Sequence, residues 1–296
     1  MVDFIKNKIF RTRQLVKKSL EELHGLRQGM ARLEEAMAPS GDGLVSWSAD
    51  LQRRVRRLFS PLRPWALSDL SKVRVGAELD GGYVVPEDWK KVSRLFSLGV
   101  GPENSFDLVF AEAGIPVEAY DHTIARLPVE HPQIRWHRKK IDNSAETSSA
   151  CSLDRILGAV ESGDGLGLKI DIEGWEYPAL MGCTEENLRK ARFIVGEFHG
   201  LARSLEADQT KVLEATFAKL QKHFSVIHVH ANNASGVRFL GGILVPNLLE
   251  ITWANRAHYA LKPSQETFPT SLDRPNRSDR CDLWLGAFDF TASDQP

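Results

Sequence analysis

The chain has 296 residues, of which 42% are hydrophobic and 26% charged, and its formal net charge is -1. A chain of this length and composition can bury one large core and carry appendages. No apolar stretch approaches the roughly 20 residues that a membrane-spanning helix needs, the N-terminus lacks the apolar segment of a signal peptide, and the cysteines form no CxxC pair. We therefore expect a soluble, cytoplasmic protein without a disulfide framework or a zinc knuckle.

The charge is distributed unevenly along the chain. Residues 1–63 carry 13 Lys and Arg against 7 Asp and Glu, a net +6, so the remainder carries 25 against 32, a net -7. An acidic main domain argues against a nucleic-acid groove. The basic front end calls for a separate interpretation.

A heptad pattern covers residues 1–38. Apolar side chains recur every seven residues, at Ile9, Val16, Leu23, Met30 and Met37. This spacing predicts a coiled-coil helix and hence a homo-oligomer. Residues 1–20 hold six Lys and Arg against one Asp, so the helix could instead contact the anionic inner face of the membrane. A third alternative is that it packs on its own domain. Residues 39–71 read as a linker and a short basic helix near 48–59.

From residue 72 onward, strands and helices alternate. A hairpin is predicted at 72–86, with its turn at Asp80-Gly81-Gly82. Further strands are predicted at 94–101, 115–121, 134–142, 165–172, 192–200, 225–233 and 247–255. Such alternation predicts an α/β domain over 72–296 with a parallel, doubly wound, Rossmann-like sheet. The last two strands have no helix between them, which predicts one antiparallel edge.

The first strand-turn-helix, "SLGVGPENSFD", has the features of a cofactor turn. Gly99, Gly101 and the helix start at Ser105 allow backbone N–H groups to approach a charged ligand group. Asp121 ends the next strand, where a carboxylate can accept from ribose hydroxyls, and Asp142 could meet an adenine amine. The pattern suits nicotinamide cofactors and S-adenosylmethionine (SAM) equally. A tight turn followed by a helix cap is the structural alternative.

Polar side chains gather at the carboxyl ends of the later strands. Asp171 ends one strand, Glu197 and His199 end the next, and His230 ends the third. Carboxylate and imidazole ligands converging on one sheet edge favour Mg²⁺ or Mn²⁺. We assign Asp171 and Glu197 to this ion, with either His199 or His230 as third ligand and the other histidine as general base. Lys169 is a rival base if burial lowers its pKa.

The predicted hairpin precedes this edge. Arg74, Asp80 and Tyr83 in the hairpin are candidates to line the acceptor side of the site. The alternative is a structural cover whose glycines serve only its turn.

Several motifs carry a family resemblance. "SLDRIL" and "LGLKIDIEGWEYPAL" resemble the Lys-x-Asp-x-Glu-Gly signature of the FkbM-type SAM-dependent methyltransferases. Segments similar to one branch of that family run through residues 72–286, among them "SLGVGPENSFD", "EFHG", "HVHANN", "LLEITW" and "TSLDRPN". The resemblance implies a class I methyltransferase sheet and methyl transfer from SAM, usually to a hydroxyl oxygen of a sugar or other metabolite. The chain departs from the common first motif at Ser97, where an acidic residue often stands.

Two other classes of protein stay open from the sequence. A nicotinamide-dependent oxidoreductase would also use the glycine turn and Asp121. A non-catalytic scaffold would use the coiled coil and retain only the fold. The expected partner of an enzyme here is a small-molecule or glycan acceptor, and the ionisable side chains at the sheet edge favour an enzyme.

Overall fold

The structure is a computed structural model that describes residues 48–143, 146–161 and 165–290. These residues belong to one compact unit that begins at Trp47. No helix in the described ranges is both long and apolar enough to cross a membrane. The coiled coil predicted for residues 1–38 lies outside the described residues.

Strands and short helices follow one another along the unit. The strands are β1 (Trp65–Leu67), β2 (Lys72–Val75), β3 (Tyr83–Pro86), β4 (Arg94–Leu98), β5 (Val117–Tyr120), β6 (Ile134–His137), β7 (Lys140–Ile141), β8 (Ala150–Cys151), β9 (Leu166–Ile170), β10 (Ala191–His199), β11 (Phe224–Ala231), β12 (Val237–Leu240), β13 (Ile243–Pro246), β14 (Leu248–Asn255) and β15 (Leu261–Pro263). The α-helices are α1 (Ala49–Phe59), α2 (Ser105–Glu112), α3 (Leu153–Gly158), α4 (Glu176–Gly182), α5 (Glu185–Leu188) and α6 (Ala207–Gln221). Single 3₁₀ turns lie at Ser60–Leu62, Trp89–Lys91 and Leu201–Arg203.

The central sheet has seven strands in the order β11-β14-β10-β9-β4-β5-β6. The pairs along β10, β9, β4, β5 and β6 are parallel. The chain moves outward from β4 to β6 and then returns to β9 on the other side of β4. The carboxyl ends of β4 and β9 therefore flank the point at which strand order reverses, where open α/β sheets bind their ligands.

The last two predicted strands, β11 and β14, form an antiparallel pair at one edge of the sheet, as expected, but the later strand lies one place inside that edge. β14 is antiparallel to both neighbours and lies inside the sheet, between β10 and β11. After β11 the chain forms the β12–β13 hairpin and then runs back into the gap beside β10. Every residue of β14 is buried, because the strand is covered on both faces and bonded along both edges.

The hydrophobic pattern of β9 explains its place at the centre of the sheet. Leu166, Leu168 and Ile170 point to one face and join the larger core cluster, whereas Lys169 shares the opposite face with Gly167. The whole strand is buried, as expected for a parallel strand with covered faces.

Helix α1 belongs to the same core. Ser48 caps it by accepting from Leu51 N at 3.1 Å. Val55, Leu58 and Phe59 are buried in the larger core cluster, and the arginines of this helix lie on its outer side. The packed core thus extends N-terminally of residue 72.

The predicted hairpin at 72–86 forms, with β2 and β3 paired from Lys72↔Pro86 to Val75↔Tyr83, but its connection is the longer loop 76–82 rather than a turn at 80–82 alone. The single strand predicted at 134–142 is wrong. β6 ends at His137, the chain turns as Lys139 N donates to the His137 carbonyl at 2.8 Å, and β7 then pairs with β8 away from the central sheet.

Candidate active site

The glycine turn after β4 packs directly against the end of β9. Gly99 has φ +83, and a Cβ at this position would lie 1.6 Å from the Asp171 carbonyl oxygen. Asp171 N donates to the Leu98 carbonyl at 2.8 Å, and Lys169 Nζ donates to the Gly99 carbonyl at 2.7 Å. A glycine is therefore required here for both its conformation and its size.

Asp121 follows β5 and holds the same turn from the other side. One carboxylate oxygen accepts from Val100 N at 2.9 Å and Gly101 N at 3.0 Å. The other accepts from Thr123 N at 2.7 Å and Thr123 Oγ1 at 2.6 Å. Burial opposes ionisation, but the four hydrogen bonds outweigh it and lower the pKa of Asp121. The carboxylate predicted to bind ribose thus has its acceptor positions filled by its own protein.

The other two residues predicted to bind the cofactor lie in different surroundings. Ser105 begins α2, and its hydroxyl has no hydrogen-bond partner among the described residues. Asp142 follows β7 rather than a strand of the central sheet; its N donates to the Cys151 carbonyl at 2.9 Å, and its carboxylate lies 3.3 Å from Lys140 Nζ.

Asp171, Glu197 and His199 meet at the carboxyl ends of β9 and β10. One potential ligand atom from each side chain lies within 4.8 Å of the other two. His199 Nε2 is 3.6 Å from the Glu197 carboxylate. Tyr83 donates its hydroxyl to Asp171 at 3.1 Å, and burial, followed by the charge of Asp171, raises the pKa of this tyrosine well above its ordinary value. The phenol therefore remains a donor at neutral pH.

A second acidic set adjoins the first through Glu197. Asp80 from the hairpin and Glu250 from β14 also place carboxylate oxygens within 4.8 Å of one another and of Glu197. Asn276 bridges the two outer members, donating to Asp80 at 3.1 Å and to Glu250 at 2.6 Å. Burial, and then the charges of Asp171 and Glu250, raise the pKa of Glu197 far above its ordinary value. Burial and the neighbouring carboxylates therefore both oppose ionisation of Glu197.

His230 is not available as a metal ligand or general base. Its Nδ1 lies 3.0 Å from Glu250, and its Nε2 lies 3.0 Å from Asp282. Burial alone would lower its pKa, but the two carboxylates raise it to about 10, so the ring is an imidazolium that bridges them. The structure instead places His199 with Asp171 and Glu197.

Two more predicted roles are changed by the geometry. Arg74 donates through Nε to the Ala77 carbonyl at 3.1 Å and through Nη2 to the Leu79 carbonyl at 2.7 Å, so it holds the hairpin loop rather than facing an acceptor. Lys169 is 5% exposed, and its Nζ is 2.7 Å from the Gly99 carbonyl and 4.0 Å from Asp171, where it positions the turn and balances a carboxylate.

Four polar residues of the edge escaped the sequence analysis. They are Glu176, Glu250, Asn276 and Asp282. Glu176 was quoted only as part of "LGLKIDIEGWEYPAL", and Glu250 and Asn276 only within "LLEITW" and "TSLDRPN". Asp282 carries no local signal. The irregular segment 264–290 brings Asn276 and Asp282 across the sheet edge.

The comparison with protein families decides the class. Residues 84–225 match the family model described as "Methyltransferase FkbM domain". This segment belongs to the FkbM methyltransferase family. The FkbM domain runs from β3 to the start of β11 and includes the glycine turn, Asp121, Asp171, Glu197 and His199. Glu250, Asn276 and Asp282 lie beyond the matched segment.

The chain has weak similarity to several solved structures. A TehB-like SAM-dependent methyltransferase from Corynebacterium glutamicum covers 77% of this chain and 97% of its own, at 13% identity and TM-score 0.30. Magnesium protoporphyrin IX methyltransferase from Synechocystis, with bound SAH, covers 77% and 94%, at 13% identity and TM-score 0.27. A fibrillarin/Nop5p complex covers 65% and 98%, at 13% identity and TM-score 0.34. No curated protein matches the sequence. The fold and the class rest on the strand order and the family match.

Proposed function

We propose that this protein is a SAM-dependent O-methyltransferase that modifies a hydroxyl of a sugar, a polysaccharide or a related metabolite. We further propose that Asp171, Glu197 and His199 hold a divalent cation, Mg²⁺ or Mn²⁺, during the reaction. The observation that carries the proposal is the meeting of these three side chains at the strand-order reversal, beside the glycine turn.

The glycine turn suits a bulky, charged cofactor. Among the described residues, nothing lies within 4 Å of the position that a Cβ on Gly101 would occupy. The unpartnered Ser105 hydroxyl lies a few residues further along, at the start of α2. Gly99, Gly101 and Ser105 would hold SAM, with Asp142 toward its adenine, while Asp121 would shape the turn and meet a ribose only in competition with its four existing hydrogen bonds. When bound, SAM supplies a methyl group whose C–S bond electrons stay on sulfur as the carbon leaves.

The acidic edge suits a hard divalent cation. Carboxylate oxygens and imidazole nitrogen are the ligands that Mg²⁺ and Mn²⁺ take in proteins. Burial, and then the charges of Asp171 and Glu250, raise the pKa of Glu197, so a positive charge beside it would favour the ionised carboxylate. A cation there would restore the charge balance and would lower the pKa of an acceptor hydroxyl.

The protein's remaining task is to remove the hydroxyl proton. Asp80 is the exposed carboxylate of the second acidic set, and Asn276 holds it beside Glu250. In our proposal the acceptor oxygen loses its proton to Asp80 as it gains the methyl carbon, and Asp80 then releases the proton to solvent. Tyr83 fixes the orientation of Asp171 by donating to it.

Calorimetric titrations of the full chain test the cofactor and the cation separately. SAM is titrated first, and the nicotinamide dinucleotides serve as the alternative. Mn²⁺ is titrated into the unaltered protein, into Asp171→Asn and into Asp279→Asn, an exposed carboxylate paired with Arg277 that serves as the control. We expect SAM to bind all three proteins alike and Mn²⁺ binding to be lost in Asp171→Asn alone. Binding of a nicotinamide dinucleotide without SAM would remove the methyltransferase proposal, and Mn²⁺ binding unaffected by Asp171→Asn would remove the cation.

The class of acceptor needs its own experiment. SAM labelled in its methyl group is incubated with the protein and a panel of mono- and oligosaccharides, and the products are treated with mild base. Methyl ethers of hydroxyl groups survive this treatment, whereas methyl esters of carboxyl groups are hydrolysed. Base-stable label on a sugar supports the proposal, and base-labile label would replace it with carboxyl methylation.

A further inference from the structure

Glu176 is a fully buried carboxylate that the proposed reaction does not use directly. It is 0% exposed, lies in the first turn of α4, and follows the end of β9 by only a few residues. Its Oε1 accepts from Ile172 N at 3.1 Å and from Gly174 N at 3.1 Å. An ionisable group buried this deeply has a structural or functional reason to be there.

The same oxygen also contacts the candidate site. His199 Nδ1 lies 3.0 Å from Glu176 Oε1. Because a carboxylate oxygen only accepts, Nδ1 carries the proton in this pair, and in the neutral ring the lone pair is then on Nε2. Nε2 lies 3.6 Å from the buried Glu197 carboxylate and 3.5 Å from the exposed carboxylate of Glu173. The bond to Glu176 therefore selects both the tautomer and the direction of the ring.

We infer that Glu176 is a positioning residue that holds His199 as the Nδ1–H tautomer, with Nε2 directed at the Asp171–Glu197 pair. This inference deepens the proposed function and rests on it for the purpose of that orientation. Metal-binding histidines generally donate their second ring nitrogen to a carboxylate or carbonyl group, and loss of such a partner weakens metal binding by about 10–100-fold. The turn that Glu176 stabilises follows Asp171 directly, so this one side chain helps to position two of the proposed metal ligands, Asp171 and His199.

The surrounding backbone supports this role. Glu173 has φ +54 although it is not a glycine, and Gly174 has φ +95, so the turn after β9 takes a conformation that is uncommon for side-chain-bearing residues. Two backbone N–H groups that converge on one buried oxygen stabilise such a turn. Tyr177, one residue further along α4, donates to the His199 carbonyl at 2.7 Å and fixes the backbone of that histidine but not its ring.

The first test reads the tautomer directly. The ¹⁵N chemical shifts of the His199 ring are measured by NMR in the full chain, with His199→Gln used for assignment. We expect Nδ1–H in the unaltered protein and in Tyr177→Phe, which removes the neighbouring hydrogen bond without touching the ring. We expect Nε2–H in Glu176→Ala, and recovery of Nδ1–H in Glu176→Gln, whose amide oxygen can still accept. An Nδ1–H signal that persists in a folded Glu176→Ala would overturn the inference.

The second test measures Mn²⁺ binding by calorimetry in the same proteins. We expect about 10–100-fold weaker binding in Glu176→Ala, partial recovery in Glu176→Gln and no change in Tyr177→Phe. Equal Mn²⁺ affinity in the Ala and unaltered proteins would contradict the positioning role. If Glu176→Ala fails to fold, as judged by circular dichroism and SAM affinity, a Glu176→Asp variant replaces it, since its shorter side chain withdraws the acceptor from Nδ1. If the unaltered protein binds no Mn²⁺, the proposed cation fails, while the tautomer measurement still decides the role of Glu176.

Discussion

Asp121 shows how firmly single charged side chains are held at the carboxyl edge of this sheet. Its two oxygens join the glycine turn after β4 to the turn after β5, through Val100, Gly101 and Thr123. A ribose hydroxyl that donates to Asp121 must therefore either compete with these four hydrogen bonds or share an oxygen with them. The first effect of this residue is to shape the turn on which the cofactor would rest.

Replacing Asp121 should lower stability as well as SAM binding. Asp121→Ala leaves the Val100 and Gly101 N–H groups without their charged acceptor, and we expect a loss of about 1.5–3 kcal/mol in the free energy of unfolding. Because the folded-state pKa lies below the unfolded value, this stabilisation is complete above about pH 4 and disappears as the pH falls through the lowered pKa. Urea unfolding at pH 7 and pH 3 measures both effects, with Asp279→Asn as control. An equal loss at both pH values would contradict the role of the ionised carboxylate.

His230 gives a prediction with the opposite dependence on pH. His230→Gln leaves Glu250 and Asp282 facing each other without the imidazolium, and we expect a cost of about 3–5 kcal/mol at pH 6. The folded-state pKa of about 10 lies above the unfolded value, so the stabilisation is present below about pH 6.5 and declines as the pH rises toward 10. Chemical unfolding of both proteins at pH 6 and pH 9 is the measurement. A variant that instead loses Mn²⁺ binding at unchanged stability would restore His230 as a ligand.

The difference between the two histidines also marks a limit of sequence reasoning. "EFH" and "HVH" are equivalent as patterns, since each places an imidazole at the end of a buried strand. What separates His199 from His230 is Asp282, which lies 52 residues from His230 and in no regular element. No periodicity in the sequence reports a contact of that kind.

At the scale of elements, the β2–β3 hairpin is the part of the fold that brings Asp80 and Tyr83 to the acidic sheet edge. The alternation of apolar residues and the Asp80-Gly81-Gly82 turn were enough to predict it. Its seven-residue connection is held from inside by Arg74, whose guanidinium donates to two loop carbonyl groups. The hairpin therefore presents Asp80 in a defined position.

Loosening this loop should change the hairpin without changing the affinity for SAM. Arg74→Ala removes the bonds to the Ala77 and Leu79 carbonyl groups, and we expect faster amide exchange across residues 76–82 and a loss of about 1–2 kcal/mol in stability. Arg74→Lys keeps the charge but cannot serve two carbonyl groups in the same geometry, so it should behave like Arg74→Ala. SAM affinity should stay unchanged in both. Full protection of the loop in Arg74→Lys would show that charge, not geometry, is the contribution of this residue.

The sheet shows which parts of a fold a sequence reveals. Strand positions were predictable because β4, β5, β9, β10, β11 and β14 are short apolar runs bounded by glycine or polar residues. The place of β14 between β10 and β11 was not, because nothing in the hydrophobic pattern of a fully buried strand says which neighbours it pairs with. The small β1–β15, β7–β8 and β12–β13 pairs have too few residues to show a pattern.

At the scale of the whole molecule, the site is closed by parts of the chain that lie far apart in sequence. Residues 264–290 return to the hairpin, where Asn276 contacts Asp80, and to β11, where Asp273 accepts from His228 at 2.7 Å. The carboxyl edge is thus built by the matched methyltransferase segment together with the hairpin before it and the segment after it. The acidic charge of the chain after residue 63 is concentrated in part at this edge.

The N-terminal boundary of the unit provides the last prediction. A variant that lacks residues 1–46 should fold and bind SAM like the full chain, because the compact unit begins at Trp47. A variant that lacks residues 1–63 also loses Val55, Leu58 and Phe59 from the core. At about 1.5–3 kcal/mol for each buried side chain, that loss approaches the whole stability of a typical domain, so this second variant should not fold.

Circular dichroism and SAM titration distinguish the two outcomes, and light scattering adds the mass of each particle. If both truncated variants fold equally well, α1 contributes nothing to the core, and the methyltransferase domain begins near residue 72 after all. The particle mass tests the coiled coil predicted over residues 1–38. A folded variant without residues 1–46 should form a smaller oligomer than the full chain, because the heptad positions that would bring copies together are gone. An unchanged number of copies per particle would contradict the coiled coil.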